Sequence, residues 1–388
     1  ATAFAGKFGF ELRDAPGGTK LGMPEDDFDR WGGGPGQTSY ATAKNKSMAA
    51  YAKDYPHSTR SYGAFGRDFI KDAAKDDAPF CLSISFKAPH HPTTPDPIYD
   101  DVYAGKTFEK SENYGRENGE NFSEQSRQGR QYKRFHDWHY SDEYDRVMAT
   151  YNQQIYAIDV AVGMIRDALV EAGVDDNTVV IFTSDNGFLN GSHGYGSKVL
   201  PYEEATCVPM IIYDPRSANS GQALRRDALA ANIDIAPTIL TLAGLPVPRD
   251  MDGGDLMRVY EDPTAAIHES IALINVWGSK PTQAMGVVTK DMKYLYWGYA
   301  AKGFEETEEL YNLADDPFEL TNQTTQVESR ADLKAMRQIY DQHLDRWQTQ
   351  AVSHHGYQPY GTYFDRNASW AEKAEVFTQL GWKPSANY

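Results

Sequence analysis

Val179-Val180-Ile181-Phe182-Thr183-Ser184-Asp185-Asn186-Gly187 is the stretch that decides the fold. An apolar run ends abruptly in an acid, an amide and a glycine. A strand that stops this way leaves hard oxygen donors at its carboxyl edge, where open α/β sheets bind ligands. The side-chain oxygens of Asp185 and Asn186 suit a hard divalent cation such as Ca²⁺, and Gly187 permits a sharp exit. Gly191-Ser192-His193-Gly194 and then Lys198 follow, so that an imidazole and an ammonium could face an anion held by the cation. Asp-Asn-Gly is also ordinary turn chemistry. The residues behind it, His193, Lys198 and Tyr202-Glu203-Glu204, favour a site. The segment reads as part of a metal-dependent enzyme acting on an anionic ester.

Outward from this strand the pattern is that of a layered α/β fold. Upstream, Ile155, Ile158, Val162, Ile165 and Leu169 recur at steps of three and four, and Gly173 stands where a C-terminal cap belongs. This helix leads into the strand before Asp185, the helix–strand alternation of layered α/β proteins. Further upstream, Phe65 to Ala74 reads as helix and Pro79 to Phe86 as strand. That strand ends in Lys87-Ala88-Pro89-His90-His91-Pro92, whose prolines enforce an extended exit. Residues 6–61 are rich in Gly, Pro and Asp and read as long loops with one short helix near Lys44–Lys53. Downstream, Val208 to Tyr213 reads as a strand and Asn232 to Leu240 opens a helix that ends at Gly244. Strands at Ala284–Thr289 and Tyr294–Trp297 precede a helix near Ala331–Trp347. A domain boundary is expected between Gly253 and His268, dividing a catalytic domain over 1–260 from a smaller α+β domain over 261–388.

Within the first domain, about 107–142 is a polar insertion carrying Arg127, Arg130, Lys133, Arg134, His136, Trp138 and His139. It reads either as a solvated charge run or as a lid for an anionic carbohydrate, since Arg matches planar oxyanions and aromatic faces stack on sugars.

The chain of 388 residues can bury a large core, and its 40% hydrophobic and 13% aromatic content is that of a globular protein. No window reaches the ~20 apolar residues of a membrane span. A net charge of −17 argues against nucleic acid as a partner. It does not argue against an anionic substrate in a locally basic or metal-bearing cleft. With two cysteines there is no disulfide scaffold, and Cys81 and Cys207 sit in apolar runs that suggest buried thiols. The first residues, Ala-Thr-Ala-Phe-Ala-Gly-Lys, contain no signal peptide, and nothing speaks to the oligomeric state.

The run from Thr183 to Pro209 resembles the sulfatase family, which carries Ser-Asp-Asn-Gly, a His-Gly step and a Lys five residues beyond that His. Gly6-Lys7 resembles the family's Gly-Lys step, and Ala88-Pro89-His90-His91-Pro92 its Pro-His-x-Pro. The stretch from Asp234 to Gly253 resembles a later landmark, as does Glu309-Leu310-Tyr311-Asn312-Leu313 with Asp316-Pro317. The resemblance implies an alkaline-phosphatase-like three-layer α/β sandwich around a mostly parallel sheet, and hydrolysis of a sulfate ester on a sulfated carbohydrate. It implies one Ca²⁺ on Asp185 and Asn186. Lys7 and Lys198 would stabilise transition-state charge, His90 would be the general acid, and His193 would touch substrate or pack the loop. The nucleophile would be a formylglycine made from Cys/Ser-x-Pro-Ser/Ala-Arg. That motif and a pair of Asp ligands normally precede the Gly-Lys step, so both are expected upstream of Ala1. Cys207-Val208-Pro209 lacks the following small residue and Arg, and Cys207 is expected in the core. Gly6-Lys7-Phe8-Gly9 departs from the family's Gly-Lys-Trp-His, placing Gly9 where a His is usual. A periplasmic or secreted location is implied.

Other readings remain. A phosphoester or phosphonate hydrolase of the same superfamily would use two zinc ions, whereas an Asp-Asn pair favours calcium. A catalytically inactive binder of sulfated glycans would fit the absent nucleophile and Gly9, but it has little need of Lys7, His90, Asp185, Asn186 and Lys198 together.

Overall fold

The structure is a computed structural model that describes residues 1–9, 12–13, 21–352 and 356–380. Parts of the loop expectation for 6–61 and of the domain expected over 261–388 fall outside these residues. The described chain forms two compact units. One comprises Ala1–Glu109, Glu143–Val180 and Tyr213–Ser220; the other comprises Lys110–Asp142, Ile181–Ile212 and Gly221–Tyr388. Residues on both sides of the 253–268 stretch lie in the second unit.

The first unit is built on a parallel sheet in which Thr2–Phe8 is central, flanked by Arg30–Pro35 and Cys81–Ser85. Arg30–Pro35, with its Gly-Gly-Gly, was not readable as a strand. Glycine is needed there because neighbours crowd the backbone: a Cβ on Gly32 would stand 2.8 Å from both the Met48 sulfur and the Phe65 ring. Two helices cover the sheet, Ser58–Ala73 and Tyr144–Ala172, the latter capped by Gly173 at φ +67° as its pattern predicts. They meet where Gly63 lies so close that an added Cβ would stand 2.9 Å from Ala161 Cα. Phe65, Phe69, Ile70, Ala168 and Leu169 fill the core with Ala3 and Ala5 of the central strand. The expected short helix near Lys44–Lys53 consists of 3₁₀ turns, Thr42–Lys44 and Lys46–Tyr51.

In the second unit, Val180–Thr183 pairs with Met210–Tyr213, most of each strand lying in this unit. An antiparallel sheet follows in the order Thr307–Asn312, Met292–Trp297, Ala284–Val288, Ile271–Asn275. Both of its faces are buried, as strand alternation requires. Tyr294, Tyr296 and Leu310 face a core completed by Met336, Tyr340 and Leu344 of helix Arg330–Gln350 and by Val376 and Phe377 of helix Trp370–Gln379. Leu295, Trp297 and Tyr311 face Phe122, Leu189, Tyr195 and Tyr202.

Both thiols are unpaired, as expected, but their expected burial is corrected: Cys81 and Cys207 are exposed. Cys81 opens an edge strand, and Cys207 caps the short helix Glu203–Thr206 ahead of its strand, so neither reaches a core.

Candidate active site

In the first unit, Lys7 and His90 are placed by the carboxyl ends of adjacent parallel strands. Gly6 must be glycine: its φ is +102°, and a Cβ there would lie 1.9 Å from the Ser85 carbonyl oxygen. This close approach of the two strand ends brings Lys7 to the exit of the Cys81–Ser85 strand. Ala88-Pro89 and His91-Pro92 are cis, and the half-buried His90 lies between them. The His90 Nδ1 hydrogen-bonds the His91 carbonyl, which makes Nε2 the nitrogen that would hold or release a proton. The His90 carbonyl in turn accepts from the Tyr40 hydroxyl at 2.6 Å, and the Gln154 side-chain amide lies 2.6 Å from that hydroxyl oxygen.

Sequence reasoning missed a third cation here. Lys87 is buried, its Nζ stands 5.0 Å from the centre of the Tyr40 ring, and burial and the nearby Lys7 charge lower its pKa. Two neighbouring ammonium groups are what an anion would relieve. The available signal was position alone, a Lys at a strand exit next to Pro-His.

In the second unit, Asp185 is exposed at the end of its strand, and Asn186 is half-buried. The Lys198 ammonium donates to Asn186 Oδ1 at 2.9 Å, so the structure joins two of the predicted residues directly. Asn186 Nδ2 donates to the Gly187 carbonyl at 2.7 Å, which turns the amide oxygen toward Lys198. Asn232 fastens this exit by donating to the Ser184 carbonyl at 2.9 Å.

His193 lies elsewhere, fully buried at φ +54°. Its Nδ1 meets the Asn118 carbonyl at 3.0 Å and its Nε2 meets Asn113 Nδ2 at 2.9 Å, with Glu204 Oε2 at 3.6 Å. Burial opposes its positive form, but the Glu204 hydrogen bond and charge outweigh this, and its pKa is raised. Next to it, the Lys293 ammonium lies 2.6 Å from Glu203 and 2.8 Å from Glu319. Burial pushes Glu319 up to about 7, an effect Lys293 only partly offsets and Glu203 and Glu204 reinforce. His193, Glu204 and Glu319 bring their ligand atoms within 4.8 Å of one another. The buried Lys293 already supplies a cation to this cluster. The His193 side chain is thus enclosed by groups of this unit.

Glu309 of the Glu-Leu-Tyr landmark has a similar role. It is fully buried and accepts from the Ser123 amide at 2.6 Å, Tyr202 at 3.2 Å and Tyr311 at 3.0 Å.

Residues 1–245 match the sulfatase family model, and residues 191–348 match that of the N-sulphoglucosamine sulphohydrolase C-terminal region. An N-acetylglucosamine-6-O-sulfatase of Bacteroides thetaiotaomicron is 30% identical over 206 residues, 52% of this chain and 36% of the relative. An arylsulfatase of Clostridium perfringens is 28% identical over 281 residues, 72% of this chain and 56% of the relative. The chain thus spans from 36% to 56% of the length of these two relatives. A structure solved with its substrate D-glucosamine-2-N,6-O-disulfate matches with a TM-score of 0.67 at 20% identity, over 90% of this chain and 80% of that one. The phosphonate monoester hydrolase of Agrobacterium radiobacter matches with a TM-score of 0.61 at 19% identity, over 87% and 78%. The fold is the α/β fold of alkaline-phosphatase-like hydrolases. With the sulfatase family model covering residues 1–245, well over half of the chain, the chain belongs to the sulfatase family.

Proposed function

We propose that the protein hydrolyses sulfate esters on a sulfated carbohydrate, with one Ca²⁺ held by Asp185 and Asn186 and a formylglycine nucleophile supplied by sequence ahead of Ala1. The observation that carries this reading is the Lys198 ammonium 2.9 Å from Asn186 Oδ1, an anion-binding cation against a hard oxygen donor at a strand exit. The names of a glucosamine-sulfate-cleaving relative and of a neighbour's disulfated glucosamine substrate support the substrate class. A relative named an extracellular sulfatase, from Drosophila melanogaster, is in keeping with a periplasmic or secreted location.

Asp185 and Asn186 fit calcium by donor chemistry: an exposed carboxylate and an amide oxygen already turned to a cation supply two of its six to eight oxygens. Bound calcium would offset charge on the ester oxygens, and the formylglycine would supply the attacking oxygen. The chain's own residues do the remainder. Lys7 and Lys198 hold sulfate oxygens and stabilise the charge that spreads over them in the transition state, and Lys87 adds to the field beside Lys7. His90 Nε2 protonates the departing alcohol, its ring fixed through Nδ1. Of the two roles open to His193, its burial favours loop packing.

The test is sulfate release by the full-length protein from 6-O-sulfated glucosamine and from an aryl sulfate, before and after chelation. Activity that calcium restores is expected. The likeness to a phosphonate hydrolase gives the second reading its footing; zinc-restored turnover of a phosphonate monoester would replace the first. Affinity for sulfated polymer without any turnover would instead identify a binding protein.

A further inference from the structure

The loop that carries Lys198 is buried to an extent unusual for a connection. Residues 191–197 are all buried, and four non-glycine residues around them take left-handed backbone angles: Asn190 (φ +46°), His193 (+54°), Ser197 (+75°) and Val199 (+93°). A β-branched residue at such an angle is an outlier that persists only when its surroundings enforce it. A buried loop must also find partners for its backbone polar groups. Turns within the loop meet part of this need, the Gly191 amide donating to the Tyr195 carbonyl at 2.9 Å and the Leu189 amide to the Ser197 carbonyl at 2.8 Å, and the segment 110–142 supplies further partners from outside the loop. The Asn113 carbonyl accepts the His193 amide at 2.5 Å, and the Gly115 amide donates to the Gly191 carbonyl at 3.1 Å. Arg134 Nη1 donates to Ser197 Oγ at 2.9 Å. Gln131 holds both sides of Ser197: its carbonyl accepts the Gly196 amide at 2.9 Å, and its Nε2 donates to the Lys198 carbonyl at 2.9 Å.

We infer that segment 110–142 is a clamp for the lysine loop and that Gln131 is a positioning residue that aims the Lys198 ammonium at Asn186 Oδ1. The inference rests on the catalytic reading of Lys198 given above. Gln131 is itself buried and acts on Lys198 through the main chain.

The test uses the full-length protein with Gln131→Met, which keeps the side-chain volume and removes the amide donor. Gln125→Met is the control. Gln125 is equally buried in the same segment, but it donates to the Tyr299 and Glu305 carbonyls and not to the loop. The first readout is the rate at which an amine-specific reagent labels Lys198, followed by peptide mass. An increase of about fivefold in Gln131→Met but not in Gln125→Met is expected, the value of one lost hydrogen bond. Equal labelling rates in wild type and Gln131→Met overturn the inference. This readout needs no turnover, so it decides the inference even if the wild type proves inactive on sulfate esters, a result that counts against the proposed function alone. Where activity is present, Gln131→Met is expected to lower kcat by roughly fivefold to tenfold with KM little changed. It should add nothing in a Lys198→Ala background. Full additivity with Lys198→Ala, or a lowered Tm with unaltered kcat, would show Gln131 to be only a stabilising residue.

Discussion

Replacing Lys293 by methionine should weaken the protein by an amount that depends on pH in a calculable way. Lys293 and Glu319 are both fully buried, and the ammonium holds Glu319 at 2.8 Å and Glu203 at 2.6 Å. Removing one member of a buried pair usually costs ~3–5 kcal/mol because the other charge is left unmatched. Glu319 can escape part of that cost by taking a proton. Its pKa already stands at about 7, above the ordinary carboxylate value, because of burial. A raised folded pKa gives a contribution to stability that is complete below ~4.5 and is lost as pH rises through about 7. Without Lys293 the folded pKa rises further, so the loss continues to higher pH in the variant than in the wild type. At pH 6 the carboxyl is mostly neutral in both proteins. The deficit should then be ~1–2 kcal/mol, from the lost Glu203 pair and imperfect packing. Above pH 7 the deficit should grow by about 1.4 kcal/mol per pH unit, reaching ~3–4 kcal/mol near pH 8.5. In thermal unfolding followed by circular dichroism, at ~2–4 °C per kcal/mol, this is a drop of roughly 2–8 °C at pH 6 and roughly 6–16 °C at pH 8.5. Equal drops at the two pH values would refute the reasoning, since they would mean that Glu319 does not titrate against Lys293.

Three further outcomes are expected. Glu319→Gln should flatten the fall in stability between about pH 4.5 and 7 that Glu319 produces, as read from urea midpoints across that window; an unchanged slope would assign the fall to another group. Asp234→Ala should cost ~3 kcal/mol or more, because the buried carboxylate accepts from His268 at 2.8 Å and from the Gly254 and Ala231 amides at 2.7 Å each; a denaturant midpoint matching wild type would contradict this. Asn186→Ala should abolish the heat of calcium binding in calorimetry and leave the fold intact; binding unchanged from wild type would place the cation elsewhere.

What could be read in advance was what local pattern encodes. The Tyr144–Ala172 helix and its Gly173 cap followed from a 3.6-residue period, and the Val180–Thr183 strand from an apolar run ended by Asp-Asn-Gly. The Lys198–Asn186 contact joins residues both singled out from that one segment. The Arg30–Pro35 strand was hidden because Met48 and Phe65 select its glycines for clearance, and composition alone reads glycine as loop. The Thr307–Asn312 strand was visible as a family landmark but not as a strand. Its inward residues include Glu309, whose carboxylate is matched by Ser123, Tyr202 and Tyr311. A buried acid of this kind defeats a hydrophobic-alternation reading.

The hardest element to read was the polar insertion. Its charges suggested a surface facing water or a sugar, yet several are used internally. Arg116 stacks 3.4 Å from the centre of the Tyr132 ring, Arg134 lies 4.3 Å from the Trp138 ring, and Arg127 donates to the Gly119 and Glu120 carbonyls. Arg130, Lys133, His136 and His139 remain exposed, so a surface role for part of the tract stands beside the internal one. The partners of this segment in the lysine loop lie some sixty to eighty residues away along the chain, as with Gln131 and Lys198 or Asn113 and His193. No window on the sequence can show that. It can be reasoned only from the other end: a loop whose residues 191–197 are buried must have its backbone groups satisfied, and its own helices and strands do not do so. A polar segment without periodicity is therefore a natural supplier of such partners, and an insertion beside a buried loop should be examined as scaffold before it is taken for a lid.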